Sequence, residues 1–208
     1  MKYYLRSVLI IFLLFAFTEI FAQIKVGYIW GMNLSTMAIK TEGLSSEPEM
    51  PAGVQFGGFL ELDLTGNLTL QPRFLFSAKG SNYRIDTTDV TMSPVYIEVP
   101  VLAVYTIGSK AVRVSLFTGP YIACGIGGYM IETGSELKYL KFGKGEDKDL
   151  RAFDFGYIFG AGIHIKSFLI SAQYGIGLTN VSPITTDGSE MKNKVIGISI
   201  SSSFESKQ

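Results

Sequence analysis

Cysteine and histidine occur once each, as Cys124 and His164. A single thiol excludes an internal disulfide, and one thiol with one imidazole excludes a metal site built from those ligands. No Gly-rich phosphate cradle makes up for this, because GIGG at 125–128 ends a strand pattern and opens a loop, not a helix. No cofactor is expected. Neither sign of charge is in surplus, with 18 Lys and Arg against 18 Asp and Glu, so nothing points to a nucleic-acid partner. Beyond the first two dozen residues there is no apolar run long enough for a membrane helix. Helix-period segments, internal repeats and linkers are missing as well.

The one long apolar run is N-terminal. Lys2 and Arg6 precede the stretch from Ser7 to Phe17, which is too short to span a bilayer, and Ala22 lies before Gln23. This is the pattern of a secretory leader over residues 1–22, leaving one domain over 23–208. Ile20 stands where a small residue is preferred before the cut. A retained membrane anchor is the competing reading.

What the chain has is glycine (23), phenylalanine (15) and tyrosine (11), a composition that leans towards β structure. It also has alternation. In the stretch 53–80, Val54, Phe56, Leu60, Leu62 and Leu64 interleave with Gln55, Gly57, Glu61 and Asp63. After Thr65-Gly66-Asn67 the apolar set Leu68, Leu70, Phe74, Phe76 and Ala78 interleaves with Thr69, Gln71, Arg73, Ser77 and Lys79. Side chains alternate across a strand, so this is a hairpin with one apolar and one polar face. A three-residue loop, with Asn67 able to take a left-handed conformation, sets Glu61 opposite Gln71 and diagonal to Arg73.

The same period gives a first strand of about a dozen residues from Ile24, and further strands over 94–107, 112–126, 152–166, 168–178 and 194–204. Residues 36–52, 81–93, 127–150 and 180–192 read as long loops between them. The total is eight strands with long and short connections in alternation. Pro72, Pro100 and Pro120 fall inside strands, where each removes a ladder donor, so bulges are expected there.

Eight amphipathic strands fit a soluble lipocalin-type barrel with an apolar interior or a membrane barrel with an apolar exterior. Strand lengths that suit a tilted crossing, the alternation of connection lengths, and a polar face rich in Gly, Ser and charges of both signs favour the second. Aromatics support it: Phe56, Phe74, Phe76, Phe153 and Phe155 fall near the long-loop ends, and Tyr105, Phe168 and Phe204 near the short-turn ends, as two girdles. The fold class is therefore all-β, an eight-stranded antiparallel up-and-down transmembrane β-barrel.

So narrow a barrel must fill its interior with side chains. Glu61, Asp63, Glu98 and Asp154 can there compensate Lys25, Arg73, Lys79, Arg113 and Lys166, with His164 in the same lumen network near a short turn. The 127–150 loop sets Lys138, Lys141 and Lys144 among Tyr139 and Phe142 as candidate contacts to a protein partner or to lipopolysaccharide. No constellation of nucleophile, base and acid emerges, so catalytic, cofactor-binding and metal residues are none.

The stretches VGYIWGMNLS (26–35), GGFLELDLTGNLTLQPRFLFSAKG (57–80), YIEVPVLAVY (96–105), GPYIACGIGG (119–128), DFGYIFGAGI (154–163) and YGIGLTNVSP (174–183), taken in order, resemble the PorT-like outer-membrane β-barrel proteins of Gram-negative bacteria. The departure is the end, where Phe204 is followed by Glu205-Ser206-Lys207-Gln208 in place of a terminal aromatic. The resemblance implies a small barrel in the outer membrane, in contact with its lipid and lipopolysaccharide. The expected function is non-enzymatic, structural, adhesive or secretion-accessory, through loops or periplasmic turns. The alternatives are an outer-membrane lipid-modifying or hydrolytic enzyme, and a soluble periplasmic lipocalin-like binder.

Overall fold

The computed structural model describes residues 24–40, 49–85, 88–109, 112–145, 147–183 and 190–205. The leader read over residues 1–22 lies outside them. Strands occupy most of the rest: β1 (Ile24–Lys40), β2 (Ala52–Asp63), β3 (Leu68–Ala78), β4 (Ser81–Ile85), β5 (Thr88–Gly108), β6 (Arg113–Glu132), β7 (Lys138–Tyr139), β8 (Phe153–Ile165), β9 (Phe168–Gly177) and β10 (Glu190–Glu205). Eight of them close into a ring in the order β1-β2-β3-β5-β6-β8-β9-β10, and β10 returns to β1 in antiparallel register from Lys25↔Glu205 to Lys40↔Glu190. β4 and β7 lie outside the ring, against the outer ends of β5 and β6.

Alternation decides which face looks out. On β1 the side chains of Val26, Tyr28, Trp30, Met32 and Leu34 are exposed while Ile29, Asn33 and Ser35 are buried. The outward aliphatics and aromatics recur on every strand of the ring, with Trp30 58%, Ile198 60% and Phe153 73% exposed. An apolar belt of that extent is far beyond what a soluble surface carries, which overturns the lipocalin alternative. Of the expected girdle residues, Phe56, Phe74, Phe153, Phe155, Tyr105, Phe168 and Phe204 are exposed, while Phe76 is half-buried. Some of these rings pack together: Phe56 stacks on Phe76 at 5.4 Å, and Tyr28 meets Phe204 at 5.6 Å.

The opening hairpin keeps the expected register. Gln55 pairs with Ser77, and Leu62 with Leu70, so Glu61 stands opposite Gln71. Its turn departs from the expectation in that Asn67 does not take the left-handed conformation; among the described non-glycine residues Lys166 does, at φ 56°, in the separate turn between β8 and β9. All four segments read as loops are partly strand. β5 begins at Thr88 and pairs with β4, so much of 81–93 is a hairpin. β6 runs on to Glu132, inside the segment read as the 127–150 loop. β1 likewise continues to Lys40 and β10 starts at Glu190.

The prolines produce no bulges. The β3–β5 register is the same at Pro72↔Val101 and at Leu75↔Glu98, and β6–β8 runs unshifted through Pro120↔Tyr157. The ladders simply lapse for two residues beside each proline: β2–β3 at Pro72, β3–β5 at Pro100 and β5–β6 at Pro120. A missing donor thus costs a local bond and leaves the alternation intact. The bulge of the ring lies elsewhere, between Val95 and Tyr96, which pair with Gly127 and Gly125.

The interior is more apolar than the polar strand faces imply. Ile29, Phe59 and Leu75 form one buried cluster, and Tyr96, Leu102, Val104, Phe117, Tyr121, Ala123 and Ile158 another. The inward rings lie over glycines of neighbouring strands. A Cβ at Gly27 would collide with Phe59, and one at Gly160 with Phe117. Glycine on the lumen face is therefore the space that a ring occupies.

An arginine on the lipid face tests the orientation. Ile198, halfway along β10, should lose about 2–4 kcal/mol as Ile198→Arg, whereas Leu62→Arg, beside a short turn, should lose about 0–1. Reversible urea unfolding in lipid vesicles measures both. Equal, small losses at the two positions would contradict the arrangement.

Candidate functional site

The lumen charges divide into three groups by depth. The deepest is centred on Lys79, just past the end of β3. Its ammonium lies 2.7 Å from Glu98 of β5 and 3.6 Å from Asp154 of β8, with all three side chains buried. The rings of Tyr96 and Tyr121 flank it at 4.9 and 4.8 Å. Asp154 also accepts hydrogen bonds from the Tyr121 hydroxyl (3.0 Å) and from Asn193 Nδ2 (2.8 Å). One cation thus ties β3, β5, β8 and, through Asn193, β10 together. In so dry a site each partner is needed to offset the desolvation of the others.

The second group lies towards the short turns. Gln71 donates to Glu61 (3.2 Å) and accepts from Arg73 Nε (2.8 Å), while the Arg73 guanidinium sits 5.1 Å from the Phe117 ring centre. Lys25 pairs with Asp63 at 3.1 Å at the rim, and Thr69 donates to the same carboxylate. Arg73 and Glu61 therefore communicate through Gln71, as the hairpin register anticipates.

Arg113, His164 and Lys166 make up the third group. His164 is the register partner of Arg113. Its Nε2 lies 2.8 Å from the Ser115 hydroxyl, which lies 2.7 Å from the Thr106 hydroxyl. Among the described residues neither Arg113 nor Lys166 has a salt bridge. These three side chains, with Lys25, Glu61 and Asp63, line a cavity of about 950 Å³ that is bounded by the short turns and ends at Phe59, Val104 and Leu169. Of the ten sequence-predicted lumen residues, six line this vestibule, Arg113 and Lys166 among them at its exposed rim, and Arg73, Lys79, Glu98 and Asp154 are buried above it.

At the opposite end the long connections fold over the mouth. Met37, Val90, Met92, Leu140, Leu150 and Val181 form a buried apolar cap. Of the candidate loop contacts, Lys138, Tyr139, Lys141 and Lys144 are exposed, Tyr139 at 81%. Phe142 departs from the expectation. Its ring turns inward, packs edge-on against Tyr96 at 6.1 Å and joins the cap to the lumen cluster. It lies where a side chain on Gly125 would be. Within the same loop Lys148 bonds Asp147 at 2.8 Å, and that hydrogen bond and charge hold the Asp147 carboxyl below its usual range.

Sequence reasoning missed Tyr96, Tyr121 and Asn193 as members of the deep network. The signal was available for Tyr96, which shares strand parity with Glu98. Asn193 falls between the segment read as a loop, 180–192, and the strand read from 194. Ser115 was likewise passed over, although its parity with Arg113 places it inside.

The profile of the outer membrane protein beta-barrel domain family matches residues 21–182. No curated protein matches the chain. Among solved structures, similarity extends to Ail, the attachment invasion locus protein of Yersinia pestis, at 14% identity over 88% of this chain and 99% of that one, TM-score 0.45. It extends also to Neisserial surface protein A, at 10% identity over 87% and 97%, TM-score 0.43. OprG of Pseudomonas aeruginosa follows at 9% identity over 88% and 95%, TM-score 0.45.

Removing the central cation isolates the test of the deep network. Lys79→Met leaves two buried carboxylates unpaired and should cost about 3–5 kcal/mol, part of which a second change, Glu98→Gln, restores. Urea midpoints of the single and double variants measure this. A single variant as stable as the parent would show that the ion cluster is not dry.

Proposed function

The chain belongs to the outer membrane protein beta-barrel domain family and resides in the bacterial outer membrane, and on that premise we propose a non-enzymatic protein that meets its partners through the outer loops. The leader at 1–22 exports it, and residues 23–208 form the barrel domain. The finer likeness to PorT-like barrels, carried by the order of the six stretches quoted above, is consistent with an adhesive or secretion-accessory role.

One observation carries the reading. The passage is closed twice, by the deep cluster around Lys79 and by the apolar cap, while Tyr139 stands out from that cap at 81% exposure with Lys138, Lys141 and Lys144 nearby. A barrel filled in this way is no diffusion channel. What it offers the exterior is an exposed ring among cations, a pairing suited to an anionic glycolipid or to an acidic protein surface.

The hydrolytic alternative has one geometric point in its favour, the Ser115–His164 contact of 2.8 Å. Ser115 is buried, however, and the neighbour of His164 across the strand pair is Arg113. Among the described residues no carboxylate bonds the imidazole, so the third member of a triad is missing.

A photo-crosslinking amino acid at position 139 in living cells tests the proposal. Light-dependent adducts with lipopolysaccharide or a protein are expected from position 139 and not from position 150, which is buried. Adducts from neither position, with the barrel correctly inserted, would contradict it.

A further inference from the structure

We infer that the vestibule at the short-turn end is a binding site for a small oxyanion-bearing molecule, carboxylate or phosphate, entering from the periplasm. The cavity opens among the three short turns, which face the periplasm, and ends blindly on the buried side chains of Phe59, Val104 and Leu169. At about 950 Å³ it falls at the upper end of the range of small-molecule pockets. Nothing can pass through it, so what enters is held or leaves by the same mouth.

Its charges are arranged asymmetrically. The carboxylates on β2 are already engaged: Asp63 with Lys25 at 3.1 Å and with Thr69, and Glu61 with Gln71 at 3.2 Å. Arg113 on β6 and Lys166 at the end of β8 face the same cavity with no salt bridge among the described residues. Around the ring β2 lies three strands from β6 and four from β8, so neither cation has a carboxylate of the cavity on a neighbouring strand. The Thr106–Ser115–His164 chain, linked internally at 2.7 and 2.8 Å, lines the same cavity and adds hydroxyl and imidazole groups to it. A guanidinium, an ammonium and polar donors lining one side of a blind, polar cup are the chemistry that recognises an oxyanion. The lumen filling elsewhere in the barrel has no such surplus, since the buried cations Arg73 and Lys79 there are matched by the buried carboxylates Glu98 and Asp154.

This site is independent of the outer loops, so its test does not stand or fall with theirs. His164 is the only histidine, so its ring resonances report the cavity without ambiguity. The full chain, folded in detergent micelles, is titrated with inorganic phosphate and separately with glutarate, against sodium chloride at matched ionic strength. A saturable shift of the His164 signals with either anion and not with chloride is expected. Phosphate alone would assign a phosphoryl ligand, glutarate alone a carboxylate, and both the shared oxyanion chemistry. The Arg113→Gln/Lys166→Gln double variant should bind at least about tenfold more weakly. Lys138→Gln, on the outer loop, should bind as the parent does. Heat-dependent gel migration establishes that each variant is a folded barrel. A shift no different from that of chloride, or one undiminished in a folded double variant, would overturn the inference.

Discussion

The seam between β1 and β10 is the constraint on which the rest depends. Hydrocarbon offers no partner for a backbone N–H or C=O, so a sheet in lipid must close on itself. Here closure runs from Lys25↔Glu205 to Lys40↔Glu190, the full length of both strands. Once that register is set, parity is set for the whole ring. The Trp30, Ile198 and Phe153 series looks out, and the Asn33, Ser199 and Asp154 series looks in. The apolar exterior and the mixed interior are two consequences of one pairing.

Closure by eight strands leaves an interior that side chains must fill, and the chain fills it in layers. Charges in the middle are ordered by need. Lys79 is buried among two carboxylates and two rings, whereas Lys25 and Asp63 pair at the partly exposed rim. Aromatics occupy the space that glycines vacate, as Phe59 does over Gly27 and Phe142 beside Gly125. The outer end is closed by side chains from the long connections, and the inner end is left open as a polar cup. The two ends thereby differ, with an apolar cap at the long connections and a polar recess at the short turns.

Much of this was legible in the residues because a period of two is a strong signal when one face meets lipid. The hairpin of β2 and β3 and its register followed from parity alone. What was not legible has physical reasons. Above the membrane both faces of a strand meet water, so alternation fades, and β4 with the outer ends of β5 and β6 looked like loops. An inward ring such as Phe117 or Tyr121 is indistinguishable by composition from a lipid-facing one and is betrayed only by position. Phe142 lies in a charged loop and gave no sign that it plugs the barrel. The prolines were expected to force bulges, but a ladder with partners on both sides tolerates a two-residue lapse without changing register.

The orientation of the faces is tested most directly by spin labels along β10. Single cysteines placed one at a time at Ile196, Ser199, Ile198, Ser201 and Ile200 in a Cys124→Ser background would carry a nitroxide in protein reconstituted into bilayers. The account predicts high collision rates with lipid-dissolved oxygen at 196, 198 and 200 and low rates at 199 and 201. Uniform accessibility along the strand, or the opposite alternation, would contradict it.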